Sequence, residues 1–201
     1  LSRPGNKAAN STANSTRGNN QLRIIGGSWR GRKLSFPDVD GLRPTGDRIR
    51  ETLFNWLAPD IQGAHCLDLF AGSGALGLEA LSRGAGESVL IEKHPAAAQA
   101  LVKNLTLLNA TGAKVVNTDA VTYLANTDNP KAFDVVFIDP PFQLKLWQKS
   151  IDLLEQGNWL AGGCAIYVES GLTDSYCPPE SWTLHRDKTT STLRYCLFYR
   201  E

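Results

Sequence analysis

The chain has 201 residues, 42% hydrophobic and 20% charged, with a formal net charge of +1, four cysteines and no methionine. That length admits one sizeable domain plus a small appendage. No apolar run approaches the roughly 18–20 residues of a membrane span, and the stretch from Leu1 to Lys7 lacks the apolar core of a secretory signal. The charge is unevenly placed. Residues 1–50 carry ten Lys and Arg against three Asp, and residues 51–201 carry eleven against seventeen acids, so a polyanion contact is expected at the N-terminal end.

Residues 1–20 are rich in Asn, Ser, Thr, Gly and Ala with little to bury, and read as a disordered basic leader. From residue 21 to 44 the alternation in Leu22-Arg-Ile-Ile-Gly-Gly-Ser-Trp-Arg-Gly-Arg-Lys-Leu34 reads as a small β-hairpin with cationic loops. Residues 45–201 form the main domain. Thr45 is expected to cap a helical run in which Ile49, Leu53, Phe54 and Leu57 share one face. Strands follow near 65–70, 87–92, 113–119, 133–139 and 164–170, and helices near 75–83, 95–109, 120–125 and 144–155. The central strands are continuously apolar, as expected when helices cover both faces of a sheet. Two final runs around 182–188 and 193–199, joined by a polar turn, read as an antiparallel hairpin. The fold class is therefore α/β, doubly wound, with an antiparallel finish.

Cys66, Cys164, Cys177 and Cys196 are scattered without a Cys-x-x-Cys pair, and His65, His94 and His185 are isolated. Neither a metal site nor a disulfide framework is expected, and reduced thiols fit a cytoplasmic protein. Cys66 and Cys164 lie in apolar runs and are assigned to the core.

Function is carried by the strand ends. Gly72-Ser73-Gly74-Ala-Leu-Gly77 follows the first strand of the domain and matches G-x-G-x-x-G, a turn that lets backbone approach a ligand at a helix N-terminus. The motif serves dinucleotides and other adenosine ligands alike. Asp68, four residues earlier, would repel a pyrophosphate but can pair with an amino group. Glu92, Asp119 and Asp139 close the next three strands, and ligands of open α/β sheets bind beyond those carboxyl ends. Glu92 suits ribose hydroxyls; Asp119 and the Ala120 N–H suit adenine. After Asp139 comes Pro140-Pro141-Phe142, a rigid turn holding a carboxylate and a carbonyl beside an aromatic plate. Two acceptors next to an aromatic face fit a flat base with an exocyclic amine, although Asp-Pro-Pro also occurs as an ordinary turn.

The series Asp68-x-x-x-Gly72-x-Gly74, Glu92, Asp119 and Asp139-Pro-Pro-Phe142 resembles class I S-adenosylmethionine-dependent methyltransferases that act on an exocyclic amine. With Arg23-Ile-Ile-Gly-Gly-x-Trp-Arg-Gly-Arg-Lys33 and Leu42-Arg-Pro-Thr-x-Asp-Arg-x-Arg-Glu-Thr-Leu-Phe-Asn-Trp-Leu57, residues 21–200 are similar to the bacterial 16S ribosomal RNA guanine-N2 methyltransferases. The resemblance implies a Rossmann-like seven-stranded sheet and a cytoplasmic protein that uses S-adenosylmethionine, without metal, on 16S rRNA in the 30S particle; nothing in the sequence demands a partner subunit, so a monomer is expected. It implies that Asp68, Ala71, Gly72, Ser73, Gly74, Glu92, Asp119, Ala120 and Asp139 bind the donor, with Arg43, Pro44 and Thr45 as a lid. Asp139, Pro140 and Phe142 would be catalytic, and Arg23, Trp29, Arg30, Arg32 and Lys33 would grip RNA. An N6-adenine DNA methyltransferase shares the donor-site signature and is the alternative reading. The absence of a separate target-recognition domain argues against it.

Overall fold

The structure, a computed structural model, describes residues 20–39, 42, 44–128 and 131–201. The leader through residue 19 and the lid residue Arg43 lie outside the described residues. Two strands, β1 (Asn20–Arg23) and β2 (Lys33–Phe36), pair antiparallel with Leu22 opposite Leu34, so the hairpin forms where the alternation places it. Helix α1 (Asp47–Trp56) follows, and then β3 (His65–Asp68), α2 (Gly77–Ser82), β4 (Glu87–Ile91), α3 (Pro95–Leu108), β5 (Ala113–Val116) and α4 (Ala120–Asn126). The chain continues through β6 (Phe133–Ile138), α5 (Trp147–Gln156), β7 (Leu160–Gly171), β8 (Trp182–Thr189) and β9 (Leu193–Arg200).

The main sheet has seven strands in the order β5-β4-β3-β6-β7-β9-β8. Its first five strands run parallel, and β9 and β8 add antiparallel at one edge. The chain reverses its walk across the sheet between β3 and β6, which is where such folds open a ligand crevice.

Side chains alternate between the two faces. Cys66, Val135, Phe137, Ala165 and Tyr167 pack on one face beneath Leu53, Phe54 and Leu57 of α1. Leu67, Val136, Ile138, Ile166 and Val168 pack on the other with Tyr123 and Leu124 of α4 and Ile151 and Leu154 of α5. The face assigned to α1 is thus the one it buries, and Cys66 and Cys164 are core thiols, with burial pushing Cys66 up to about 12. Helix α1 does not start as expected, however. Gly46 holds the N-cap position and makes no side-chain cap bond, while the Thr45 hydroxyl turns to Asp139, so a tertiary partner outcompetes the local cap.

The hairpin is anchored rather than appended loosely. Ile24 and Leu34 join Leu78, Leu90, Leu101 and Leu108 in a satellite core, and Trp29 packs against it. Glu79 of α2, with no exposed surface, accepts the backbone N–H groups of Ile25 and Gly26 at 2.9 and 2.7 Å. It also pairs with Arg50 at 3.3 Å and Arg83 at 2.8 Å. Arg50, itself 1% exposed, donates onward to the carbonyls of Thr45 (3.0 Å) and Arg23 (2.9 Å) and to Asp47 (2.7 Å). Two buried ions of opposite sign, each surrounded by hydrogen-bond partners, lock the hairpin, the segment at Thr45 and α2 together.

Candidate active site

At the carboxyl ends of β3, β6 and β7 lies a cavity of about 690 Å³. Its walls come from the end of β3 and the turn after it (Asp68, Phe70 to Ser73), the turn after β6 (Asp139 to Gln143), Glu169 of β7, Thr192 and Leu193 at the start of β9, and Pro44 to Gly46. Asp68, Ala71, Gly72, Ser73, Thr45, Asp139, Pro140 and Phe142 are therefore brought together from three chain segments.

The glycine turn is shaped by what surrounds it. Gly72, which lines the cavity, has φ +53, and a Cβ there would meet Leu42 Cγ at 3.6 Å and the Phe70 carbonyl at 3.8 Å, so the left-handed backbone rather than crowding calls for glycine. A Cβ on Gly77 would come within 2.8 Å of Leu90 Cδ2 and 3.1 Å of Asp68 Oδ2, so the helix can approach β3 and β4 only without one. Asp68 Oδ2 accepts the Gly77 N–H at 2.9 Å. Burial raises the Asp68 carboxyl to about 7, against the lowering effect of the Gly77 and Phe70 N–H groups. Gly74 faces the side chains of Leu78 and Leu101 and does not line the cavity.

Asp139 is half-buried by surface exposure but sits deep in the low-dielectric interior. Burial, then the charges of Glu169 and Asp68, push its pKa well above the usual carboxylate value, and the Thr45 hydroxyl, donating to Oδ2 at 3.3 Å, pulls it back. Phe142 packs on Trp147 with ring centroids 5.8 Å apart and keeps its remaining surface in the cavity wall.

Glu92 and Asp119 stand along the same sheet edge, at the ends of β4 and β5, outside the cavity wall. Glu92 accepts the N–H of Gly72 at 2.8 Å, which stiffens the glycine turn, and that of His94 at 2.6 Å. Asp119 is the N-cap of α4 and accepts the Thr122 N–H at 2.9 Å. The bonds from Thr122 hold its carboxyl below the usual range. Ala120 is the first residue of α4 and is buried. Each carboxylate oxygen keeps a second lone pair for a ligand.

The residues fit an adenosyl sulfonium donor on one direct observation. Ser73 is buried in the cavity wall and its Oγ has no hydrogen-bond partner, a buried polar atom that a ligand would satisfy. The nearby acids suit a cationic ligand. Among the described residues no group of three or more His, Cys, Asp and Glu could hold a metal ion, and no helix is long and apolar enough to cross a membrane.

On the hairpin, Arg30 and Lys33 are exposed. Arg23 pairs with Asp47 at 3.0 Å, Arg32 donates to the Leu107 carbonyl at 3.0 Å, and Trp29 is spent largely on packing. Sequence reasoning missed Glu169 and the Glu79–Arg50 pair. Glu169 could have been found from the period-2 rule, because it follows Tyr167 on the same face as Asp68.

A family model described as conserved hypothetical protein 95 matches residues 22–199. The ribosomal RNA small subunit methyltransferase D of Escherichia coli K12 is 54% identical over 185 residues, 92% of each chain. Its Haemophilus influenzae namesake is 47% identical over 180 residues, 89% of this chain and 93% of its own. The solved structure of yhhF from Escherichia coli matches with a TM-score of 0.84 at 53% identity, over 90% of this chain and 99% of that one. A 16S rRNA N2 G1207 methyltransferase of Thermus thermophilus, solved with AdoMet and guanosine, shares the fold at 23% identity, with a TM-score of 0.68 over 91% of this chain and 50% of that one.

Proposed function

The chain belongs to the ribosomal RNA small subunit methyltransferase D family, and from that premise we propose that it methylates the exocyclic N2 amine of one guanine in 16S rRNA, on the 30S particle, using S-adenosylmethionine. The observation that carries this reading is the single cavity in which Asp139, Pro140 and Phe142 meet Asp68, Gly72 and Ser73. Asp68 and Ser73 would hold the amino-acid end of the donor, Glu92 its ribose, and Asp119 with Ala120 its adenine. When bound, S-adenosylmethionine supplies a methyl group already activated by a positive sulfur.

The chain's own residues supply position and charge. The guanine N2 lone pair is delocalised into the ring, so the amine is a poor nucleophile. Asp139 and the Pro140 carbonyl accept its two hydrogens, which favours pyramidal nitrogen and aims the lone pair; this is catalysis by orientation and electrostatics. The raised affinity of Asp139 for a proton lets its carboxylate take up the one that nitrogen releases. Phe142 stacks on the base, a contact of ~1–3 kcal/mol, offsetting the few kcal/mol that base extrusion costs. Arg30 and Lys33 contact phosphates from the hairpin.

Incubating 30S particles, naked 16S rRNA and duplex DNA with tritiated donor tests the reading. N2-methylguanosine in 30S particles is expected, and Asp139→Ala should lower turnover by about a thousandfold or more while still binding donor. Label on adenine N6, or normal turnover in Asp139→Ala, would refute it.

A further inference from the structure

Glu169 is a cavity acid that the transfer chemistry above leaves unused. It is 5% exposed yet lines the wall. Phe137 pairs with Tyr167 and Ile138 with Val168, so the next step of the parallel register sets Glu169 beside Asp139. Its position is fixed twice. The Tyr167 hydroxyl donates to Oε2 at 2.7 Å, and Trp147 Nε1, whose ring also supports Phe142, donates to the Glu169 carbonyl at 2.7 Å. Tyr167 makes the short hydrogen bond to this carboxyl, and the Thr45 hydroxyl, which donates to Asp139 at 3.3 Å, also stands beside it, so Glu169 keeps acceptor capacity toward the cavity.

Sheet order assigns the two sides of Asp139. The sequence β4-β3-β6-β7 puts the glycine turn and Asp68 on one side and Glu169 on the other. A donor held at Gly72 and Ser73 leaves the β7 side to the acceptor base. That base enters with its ribose and phosphates toward solvent, so of the two ring nitrogens flanking the amine-bearing carbon, N1 goes deep and N3 stays near the mouth. Glu169 is deep. Guanine carries a hydrogen on N1, whereas adenine and 2-aminopurine present a lone pair there.

We propose that Glu169 accepts the guanine N1–H through Oε1 and thereby makes the site select guanine over purines with a bare N1. This rests on reading the cavity as a guanine-N2 methylation site. Two neighbouring carboxyls face three N–H groups of guanine, which relieves the repulsion between them. A bare N1 sets lone pair against lone pair, and such a mismatch of buried polar groups discriminates strongly.

The test uses the full chain and 30S particles reconstituted with 16S rRNA that carries either guanine or 2-aminopurine at the mapped target position. The unaltered protein should favour guanine by about tenfold or more in kcat/KM. Glu169→Gln, whose amide can donate to a bare N1, should shrink that preference by about tenfold while its affinity for S-adenosylhomocysteine stays within about twofold of the unaltered protein. Glu169→Asp, which keeps an acceptor, should retain the guanine preference at a lower rate. Equal activity of the unaltered protein on the two bases, equal losses on both in Glu169→Gln, or loss of the preference in Glu169→Asp would each overturn the proposal, with methylation of guanine left standing. Adenine N6 as the product of the unaltered protein would overturn the underlying reading itself.

Discussion

Replacing Glu79 by alanine should release the hairpin from the main sheet and its helices. The side chain accepts four hydrogen bonds, from Ile25 N–H and Arg50 on Oε2 and from Gly26 N–H and Arg83 on Oε1. Removing one partner of a buried ion pair costs about 3–5 kcal/mol, and each backbone N–H left without an acceptor adds about 1–3 kcal/mol if it stays buried. These do not add in full. Arg50 keeps the Thr45 carbonyl and Asp47, and an undocked hairpin regains water at Ile25 and Gly26. The expected loss is about 3–5 kcal/mol, a large part of the ~5–15 kcal/mol of a typical domain, and a drop in Tm of about 6–20 °C. Thermal unfolding reads the total, and amide hydrogen exchange at Ile25 and Gly26 locates it. Glu79→Gln, which keeps acceptor oxygen but loses charge, should fall between. A Glu79→Ala variant within about 1 kcal/mol of the parent, with exchange at Ile25 and Gly26 unchanged, would show that the buried pair does not hold the hairpin, because ordinary surface substitutions stay within that range.

Ser73→Ala should leave Tm unchanged or slightly higher, since the hydroxyl lost has no partner to lose, and should weaken donor binding about five- to tenfold by calorimetry; equal affinity would remove Ser73 from the donor site. The Asp68 carboxyl titrates near 7 in the folded chain against 3.8 in the unfolded one. A raised folded value means that its contribution is fully present below about pH 4 and is lost as pH rises through 7. Asp68→Asn should therefore gain stability over the parent at pH 8 by up to a few kcal/mol relative to pH 4, in thermal scans without donor; a pH-independent difference would contradict the assignment. Affinity for 16S rRNA should fall steeply with added salt, and the Arg30→Ala, Lys33→Ala double variant should flatten the log–log slope by about two. An unchanged slope would move the phosphate contact elsewhere.

The parallel core was legible because strands such as Val135 to Ile138 are apolar without alternation, a pattern that buried parallel strands require. The acids at their ends followed from topology, and Asp68 and Asp139 do meet in one cavity. What escaped was set by distant partners. Thr45 reads as a helix cap, but its hydroxyl is taken by Asp139, 94 positions away. Glu79 carries no local signal of burial, yet all six residues of α2 are buried, because the hairpin covers the side that would otherwise face water. Glu169 hides at the end of an apolar run, and only the β6–β7 register puts it next to Asp139.

The seat of the hairpin has a bearing on how the chain matures during synthesis. Strands β1 and β2 leave the ribosome early, but Ser82 and Glu79, on which they rest, and Leu90 and Leu101, against which they pack, are made later. Two strands alone are marginal in water, and translation adds about 5–20 residues per second. For several seconds the cationic ribbon therefore exists without its platform, and it consolidates only when the nascent β3-α2-β4-α3 unit closes beneath it.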